Sequence, residues 1–363
     1  MLERRLLLVL GNSTGGIGTH LASVAVACSE AGYDVTVCGP ASTDELFGFS
    51  GAGSRFVGLP IGLGLLANAS GRRSLRALLR GSSLVHAHGL QAGVVVGLLT
   101  RRLPHLHVVV SWHNAPLSTG VRRGLHVLLE RIAARRAEVT IGASDDLVVR
   151  ARRAGAVDAR FVPVAPPPLP PPSADPAALR LSLEVGEAPV ILAVGRLHRQ
   201  KRFDVLVAAA ARWRERVPSP VVLIAGEGPE RESLQRQAAA HDVDLHLLGQ
   251  RSDVADLLSI ADVVVLPSSW EARPLAAQEA LTAGRALVAT AVGGIPSLVG
   301  SAAVLIPVGD TGALASAVAQ LLDDPQARHR LEGQARATAA LWPDAAGVAA
   351  QLMAIYAELG SRS

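Results

Sequence analysis

From Ala165 to Ser173 the chain reads APPPLPPPS, and six prolines in nine residues allow neither a helix nor a central strand. Such a stretch is expected to be a stiff, extended linker. On either side of it one pattern repeats. Before it, short apolar runs at Leu6–Leu10, Asp34–Cys38, Leu84–His86, His107–Val110 and Val139–Ile141 alternate with helical stretches, the first from about Thr19 to Ala31. After it, the pattern restarts at Val190–Val194, Val221–Ile224, Asp244–Leu248, Asp262–Leu266 and Ala286–Thr290. Two series of βα units imply an α/β protein built of two doubly wound, parallel-sheet, Rossmann-like domains. A length of 363 residues, too long for one ordinary core, agrees. The expected boundaries are 1–165 for the first domain, 166–184 for the linker, 185–341 for the second domain and 342–363 for a terminal helix. That helix carries Leu352, Ile355, Tyr356 and Leu359 as an apolar stripe.

Composition narrows the class. The chain is 49% hydrophobic with 35 Gly and 22 Pro, which suits a folded α/β protein and excludes disorder. Mean hydropathy is +0.32, yet the apolar runs are short. Ala92–Leu99 is broken by glycine and followed by Arg101 and Arg102, so no run approaches the ~20 residues of a membrane span. The start, Met1 to Arg5, leads directly into a strand without a signal-cleavage region, and a cytoplasmic location is expected. Cys28 and Cys38 are the two cysteines, and no Cys/His cluster has zinc spacing, so no metal is expected. The net charge of +4 is uneven: residues 1–165 carry +8 and residues 166–363 carry −4. A basic first half suits an anionic partner, with compositional drift as the plainer explanation. With aromatics at 3% and no aromatic platform beside the Arg72, Arg76 and Arg80 face, no nucleic-acid partner is expected.

The most informative local frame lies between Asp262 and Thr290. A strand-like run ends at Pro267, a loop carries Glu271, and Pro274 stands at the expected first position of a helix. That helix runs through Ala283, is stopped by Gly284, and leads to a second buried strand. Seven residues separate Glu271 from Glu279. One carboxylate is thus placed at the carboxyl end of a strand and the other down the helix, with the helix N-terminus, which favours an anion, between them. Earlier, Gly195 and Arg196 follow a strand, and Lys201 comes five residues later; it is the only lysine of the chain. Both side-chain types suit phosphate oxygens. Gly226 and Gly228 follow the next strand and would let a base or ribose approach the backbone. In the first half, the loop from Gly11 to His20, with Gly15 and Gly16, has the form of a phosphate cradle. No lysine follows, so it is not a Walker A loop, and the second strand ends in Cys38-Gly39-Pro40 without the acid of a dinucleotide site. His113 lies just past a strand end. His20 and His88, the latter in Val85-His86-Ala87-His88-Gly89, read equally as structural or as ligand-facing.

In order along the chain, GRLHRQK, GEGP, the turn at 248–252 and the E-x7-E region resemble the donor half of the retaining glycosyltransferase family 4, over about residues 190–300. The resemblance implies a GT-B fold, two Rossmann-like domains facing across a cleft, with the terminal helix crossing back to the first. It implies transfer of a sugar from a nucleotide diphosphate sugar to an acceptor hydroxyl with retention at the anomeric carbon. By that resemblance Arg196 and Lys201, with Gly195, would meet the diphosphate, and the backbone at Leu275 and Ala276 would cap it. Glu279 would bind ribose hydroxyls, Glu271 the donor sugar, Gly226 and Gly228 the nucleoside, and Gly15 and Gly16 the diphosphate side of the cleft. His113 would stand beside the reacting sugar. The nucleotide sugar is a substrate, so no cofactor is expected. The family often has small or aromatic residues with glycine after the first Glu, whereas this chain has Ala272-Arg273-Pro274, which leaves the sugar unnamed. A nucleotide-sugar epimerase and a catalytically silent nucleotide-sugar-binding protein are the alternatives. The acceptor class stays open among a glycan, a lipid and a small molecule. Arg72, Arg76 and Arg80 share a helix face after the apolar stretch Leu59–Ala69, which suits an ordinary solvated helix or, as the alternative, peripheral attachment to the anionic inner face of a membrane.

Overall fold

Neighbouring side chains of a strand point to opposite faces of its sheet, and this alternation decides which residues meet in each core. The computed structural model describes residues 4–13, 15–51, 53–115, 120–165 and 169–361. Residue 14 of the glycine loop and residues 166–168 of the proline run lie outside them. The chain divides into two compact units, Met1–Pro167 with Pro343–Ser363, and Pro168–Trp342.

In the first unit the strands are β1 (Arg5–Leu10), β2 (Asp34–Gly39), β3 (Arg55–Gly58), β4 (Leu84–His88), β5 (His107–Trp112), β6 (Val139–Gly142) and β7 (Ala159–Phe161). They form one parallel sheet in the order β3-β2-β1-β4-β5-β6-β7. β1 is central, and its leucines are buried on both faces, as a strand covered by helices requires. The first helix, Gly16–Glu30, begins earlier than expected and runs back into the glycines. The C-terminal helix, Ala345–Gly360, belongs to this unit. Asp344 caps it by accepting from the Gly347 N–H at 2.7 Å, and Val348, Leu352, Ile355, Tyr356 and Leu359 pack against Leu21, Val24 and the β1 leucines. Full burial of one such aliphatic side chain contributes ~1.5–3 kcal/mol, so the stripe holds the helix firmly.

The second unit contains β8 (Val190–Val194), β9 (Val221–Ala225), β10 (Leu245–Gly249), β11 (Val263–Leu266), β12 (Ala286–Thr290) and β13 (Val304–Ile306). They too are all parallel, in the order β10-β9-β8-β11-β12-β13. Ile191, Ala193, Val222, Ile224, Val263 and Val265 enter one core with Phe203, Leu206 and Leu314. Their chain neighbours Val190, Leu192, Val221, Leu223, Val264 and Leu266 enter the other with Leu257, Leu281 and Leu298.

Three differences from the sequence reading have local causes. β3, β7 and β13 were not expected; each lies at a sheet edge and is only three or four residues long, too short for an apolar pattern. Pro274 is not the first helical residue. It is the extended N-cap (φ −68°, ψ 126°), and the helix is Leu275–Thr282. The expected linker 166–184 contains a helix, Pro176–Ser182, because Asp175 caps it and Pro176 pre-sets its first φ. Leu179 buries that helix in the second unit, and the Asp256 carboxylate accepts from the Ala174 N–H at 3.0 Å and the Ser173 hydroxyl at 3.1 Å.

Candidate functional site

In the second unit β8 and β11 are neighbours although two strands separate them in sequence, and the winding direction reverses between them. The loops that leave their carboxyl ends diverge there, which is where open α/β sheets place ligands. The loop after β8 carries Gly195, Arg196 and Lys201; the loop after β11 carries Glu271. The glycine loop after β9 lies against the first of these. Gly195 N–H donates to the Ala225 carbonyl and Leu197 N–H to the Glu227 carbonyl, both at 2.9 Å. A Cβ on Gly226 would sit 1.9 Å from the Gly195 oxygen, and one on Gly228 2.4 Å from the Leu197 oxygen. The backbone that approaches these two glycines is therefore the neighbouring loop's own, at φ 154° and 156°.

A short 3₁₀ turn, Arg199–Lys201, then locks onto the β11 loop. Gln200 accepts from the Ser269 N–H at 2.8 Å and donates its side-chain amide to the Trp270 carbonyl at 2.8 Å. This brings Lys201 Nζ to 2.7 Å from Glu271 Oε1, with side-chain exposures of 18% and 12%. Ser268 Oγ donates to the same carboxylate oxygen at 2.9 Å. The Glu271 carbonyl accepts from Gly294 N–H at 2.9 Å, and a Cβ on Gly293 (φ 54°) would lie 2.0 Å from that carbonyl oxygen, so the turn demands glycine. Arg196 is exposed and makes no ion pair with a described residue.

Past Pro274 the helix Leu275–Thr282 begins without a side-chain cap, leaving the first-turn N–H groups at Leu275 and Ala276 open to an anion. Glu279 is half-buried on this helix, and burial raises its carboxyl above the usual range with no compensating cation. Arg273, which left the sugar unnamed, has its own partners. Its Nε donates to Gln278 Oε1 at 3.2 Å, its guanidinium lies 5.4 Å from the Trp342 ring centroid, and burial lowers its pKa to about 10. Gln278 Nε2 is buried without a partner among the described residues.

The first unit offers different chemistry. Gly15 caps the first helix, is exposed and has open space about it; Gly16 opens that helix, again with no side-chain cap. Gly18 serves packing, since a Cβ there would fall 2.1 Å from the Phe47 ring. His20 on this helix, His88 at the end of β4 and His113 after β5 converge, and all three are buried. His88 Nδ1 lies 3.1 Å from His113 Nε2 with the rings 9° from parallel, while His20 stands 5.8 Å from His113, centroid to centroid. His86, two residues before His88, contacts it ring to ring at 4.0 Å. Its Nδ1 is 2.6 Å from the Tyr356 hydroxyl of the C-terminal helix and its Nε2 2.7 Å from Ser111 Oγ. Burial lowers the pKa of His113 to about 3 and of His20 to about 4, and lowers His86 and His88 well below the ordinary value, with the neighbouring histidines adding to it. These rings are neutral hydrogen-bonding groups at pH 7. His88 Nε2 and His113 Nδ1 have no partner among the described residues.

Sequence reasoning gives His86 and Ser111 no role and reads Tyr356 only as part of the apolar stripe. The signal available was His-Ala-His in a strand, which puts both rings on one face. The apolar stretch before the Arg72 helix is packed inward at Ile61 and Leu65. An exposed apolar stripe lies elsewhere, at Val121, Leu125 and Leu128 of the helix Gly120–Arg136, beside the exposed Arg122 and Arg123. Among the described residues no group of three or more His, Cys, Asp or Glu is placed to hold a metal, and no helix is long and apolar enough to cross a membrane.

Comparison with known proteins agrees with this architecture. Residues 179–338 match the family of glycosyl transferases group 1, and residues 15–167 match the glycosyl transferase 4-like domain. The alpha-D-kanosaminyltransferase of Streptomyces kanamyceticus is 32% identical over 190 residues, 51% of this chain and 49% of that protein. The 2-deoxystreptamine N-acetyl-D-glucosaminyltransferase of Streptomyces fradiae is 28% identical over 285 residues, 72% of this chain and 66% of that protein. The chain thus spans about half to two thirds of the length of these relatives. Among solved structures, Anabaena HepE in complex with UDP superposes with a TM-score of 0.84 at 20% identity, covering 98% of this chain and 100% of that one, which shows the shared fold. With both family domains in tandem on two parallel Rossmann-like sheets of seven and six strands, the chain belongs to the GT-B glycosyltransferases of group 1 and family 4 type.

Proposed function

We propose that this protein transfers a glycosyl group from a nucleoside diphosphate sugar to an acceptor hydroxyl, with retention at the anomeric carbon. The observation that carries the proposal is the meeting of Lys201 and Glu271, 70 residues apart in sequence, at 2.7 Å on the switch-point loops beside an uncapped helix N-terminus. Arg196, Lys201 and the N–H groups of Leu275 and Ala276 hold the diphosphate and, in place of a metal ion, stabilise the charge that builds on it as the bond to the anomeric carbon breaks. Glu271 orients the sugar hydroxyls while paired with the phosphate-binding ammonium. Glu279 accepts from the ribose hydroxyls, which return to its buried carboxylate the hydrogen bonds that it lacks. The acceptor oxygen bonds to the anomeric carbon on the face the diphosphate leaves, and its proton passes to the departing phosphate oxygen. His113, neutral, hydrogen-bonds the reacting sugar. Because Anabaena HepE is held in complex with UDP, uridine is the first base to test. Both relatives named above are glycosyltransferases, and one is named for a 2-deoxystreptamine acceptor, so a small polyhydroxylated acceptor heads the candidates, ahead of a lipid-linked or envelope glycan. We further propose that Val121, Leu125 and Leu128 with Arg122 and Arg123 touch an anionic membrane surface.

The test is a panel of UDP- and GDP-sugars, read by thermal stabilisation, then by donor hydrolysis and by the anomeric configuration of the product in NMR. One donor class should stabilise the protein and be consumed with its configuration kept. An inverted product would reject retention, epimerised free donor would favour the epimerase, and stabilisation without turnover would favour a silent binding protein.

A further inference from the structure

Two buried imidazoles whose remaining nitrogens have no partner are an uncommon arrangement, since a buried polar atom is ordinarily paired. His88 and His113 are such a couple: Nδ1 of the first faces Nε2 of the second at 3.1 Å, and His88 Nε2 and His113 Nδ1 have no partner among the described residues. The ring of His88 is itself held. It lies against His86, whose two nitrogens are fixed by the Tyr356 and Ser111 hydroxyls, and strand pairing sets His88 opposite Ser111. Between two neutral rings a single hydrogen must occupy the shared bond. If His88 Nδ1–H donates, His113 accepts at Nε2 and carries its own proton on Nδ1. If His113 Nε2–H donates, His88 accepts at Nδ1 and carries its proton on Nε2. In both cases the two rings share one tautomer, and the couple offers one donor and one acceptor at its two outer nitrogens.

We propose that His88 is a positioning residue for His113, fixing through the Nδ1–Nε2 hydrogen bond which nitrogen His113 presents to the reacting sugar. The proposal rests on the glycosyl-transfer reading for its consequence and on geometry alone for the coupling. It explains why both histidines of the His-Ala-His strand are buried: one anchors to the C-terminal helix, and the other sets the ring after β5.

The test uses the full chain labelled with 15N-histidine, with His113 and His88 signals assigned by their loss in His113→Gln and His88→Asn. Imidazole 15N shifts separate Nδ1–H from Nε2–H. The expected result is matching tautomers on His88 and His113 at pH 7. His88→Asn keeps an amide where Nδ1 stood and should leave His113 in one tautomer, with turnover within a few-fold of wild type. His88→Phe fills the space without a partner and should average the His113 tautomers, with kcat falling about tenfold to hundredfold at unchanged donor KM. Opposite tautomers in the wild type would overturn the proposal. So would a His113 signal indifferent to His88→Phe, or equal loss in the Asn and Phe variants. If no donor is turned over by the wild type, the transfer reading fails, while the 15N spectra still decide the coupling.

Discussion

In the second unit a lysine and a carboxylate meet at the surface end of a sheet, half-buried and joined by loops distant in sequence; in the first unit four histidines, from a helix, the middle and end of β4 and the residue after β5, lie buried and neutral. The contrast follows from what each group can tolerate. A charged pair needs water, loop backbone or a ligand nearby, so it forms where chains diverge at the switch point. A neutral imidazole can sit deep in the sheet, given one hydrogen-bond partner, and strand alternation suffices to gather several. The second unit is thus built to meet charge, and the first to present fixed, uncharged hydrogen-bonding groups.

The largest expected effect separates the units by pH. Because burial lowers the folded pKa values of His20, His86, His88 and His113, the unfolded chain takes up their protons first as pH falls. Stability from these groups is full above their ordinary value of 6.5 and is lost as pH falls toward about 4 for His20 and about 3 for His113. The loss is about 1.4 kcal/mol per histidine per pH unit, enough over one or two units to exhaust an ordinary domain. The first unit should therefore unfold in this window while the second still binds nucleotide. Trp112 is the single tryptophan of the first unit and reports on it directly once Trp213, Trp270 and Trp342 are replaced by phenylalanine. Simultaneous loss of both units, or no loss down to pH 4, would break the contrast.

Next in size, if His113 meets the reacting sugar as proposed, His113→Asn should lower kcat about a hundredfold with nucleotide affinity intact. Near-normal transfer would make the histidine cluster purely structural. Glu279→Ala should weaken nucleoside diphosphate binding by roughly 1.5–3 kcal/mol, the cost of a charge-assisted hydrogen bond, in isothermal calorimetry. Unchanged affinity would remove Glu279 from the ribose. The smallest effect concerns the first unit's surface. Flotation with anionic vesicles should be salt-sensitive, at about 1 kcal/mol per arginine near the surface, and Leu125→Glu should abolish it. Equal behaviour of anionic and neutral vesicles would sharpen the contrast differently, by leaving that helix face to a soluble acceptor.

Much of this was legible in the sequence because apolar runs punctuated by glycine and proline spell out βα units. Every expected strand is present, and Glu271 and Glu279 stand on the loop and the helix where the Pro267–Gly284 frame puts them. What escaped was contact across distance. Nothing local to GRLHRQK says that Lys201 pairs with Glu271, and nothing local to VHAHG says that His86 meets Tyr356, 270 residues on. The surroundings of Arg273 are of the same kind: its partners are Gln278 and the ring of Trp342, and the latter only the fold brings near. Nor does the apolar run Leu59–Ala69 announce that Ile61 and Leu65 turn inward before the Arg72 helix.

The central claim, that the charged loops of the second unit hold a donor diphosphate, can be tested at one side chain. Lys201 is the only lysine in the sequence, so an amine-directed acylating reagent can modify it and the chain's α-amine alone. Acylation removes the charge that pairs with Glu271 and would meet phosphate. Peptide mass spectrometry of protein labelled with and without saturating nucleoside diphosphate should show Lys201 shielded by the nucleotide and the α-amine labelled equally in both, with loss of donor affinity in the modified protein. Labelling of Lys201 that is indifferent to saturating nucleotide would contradict the account.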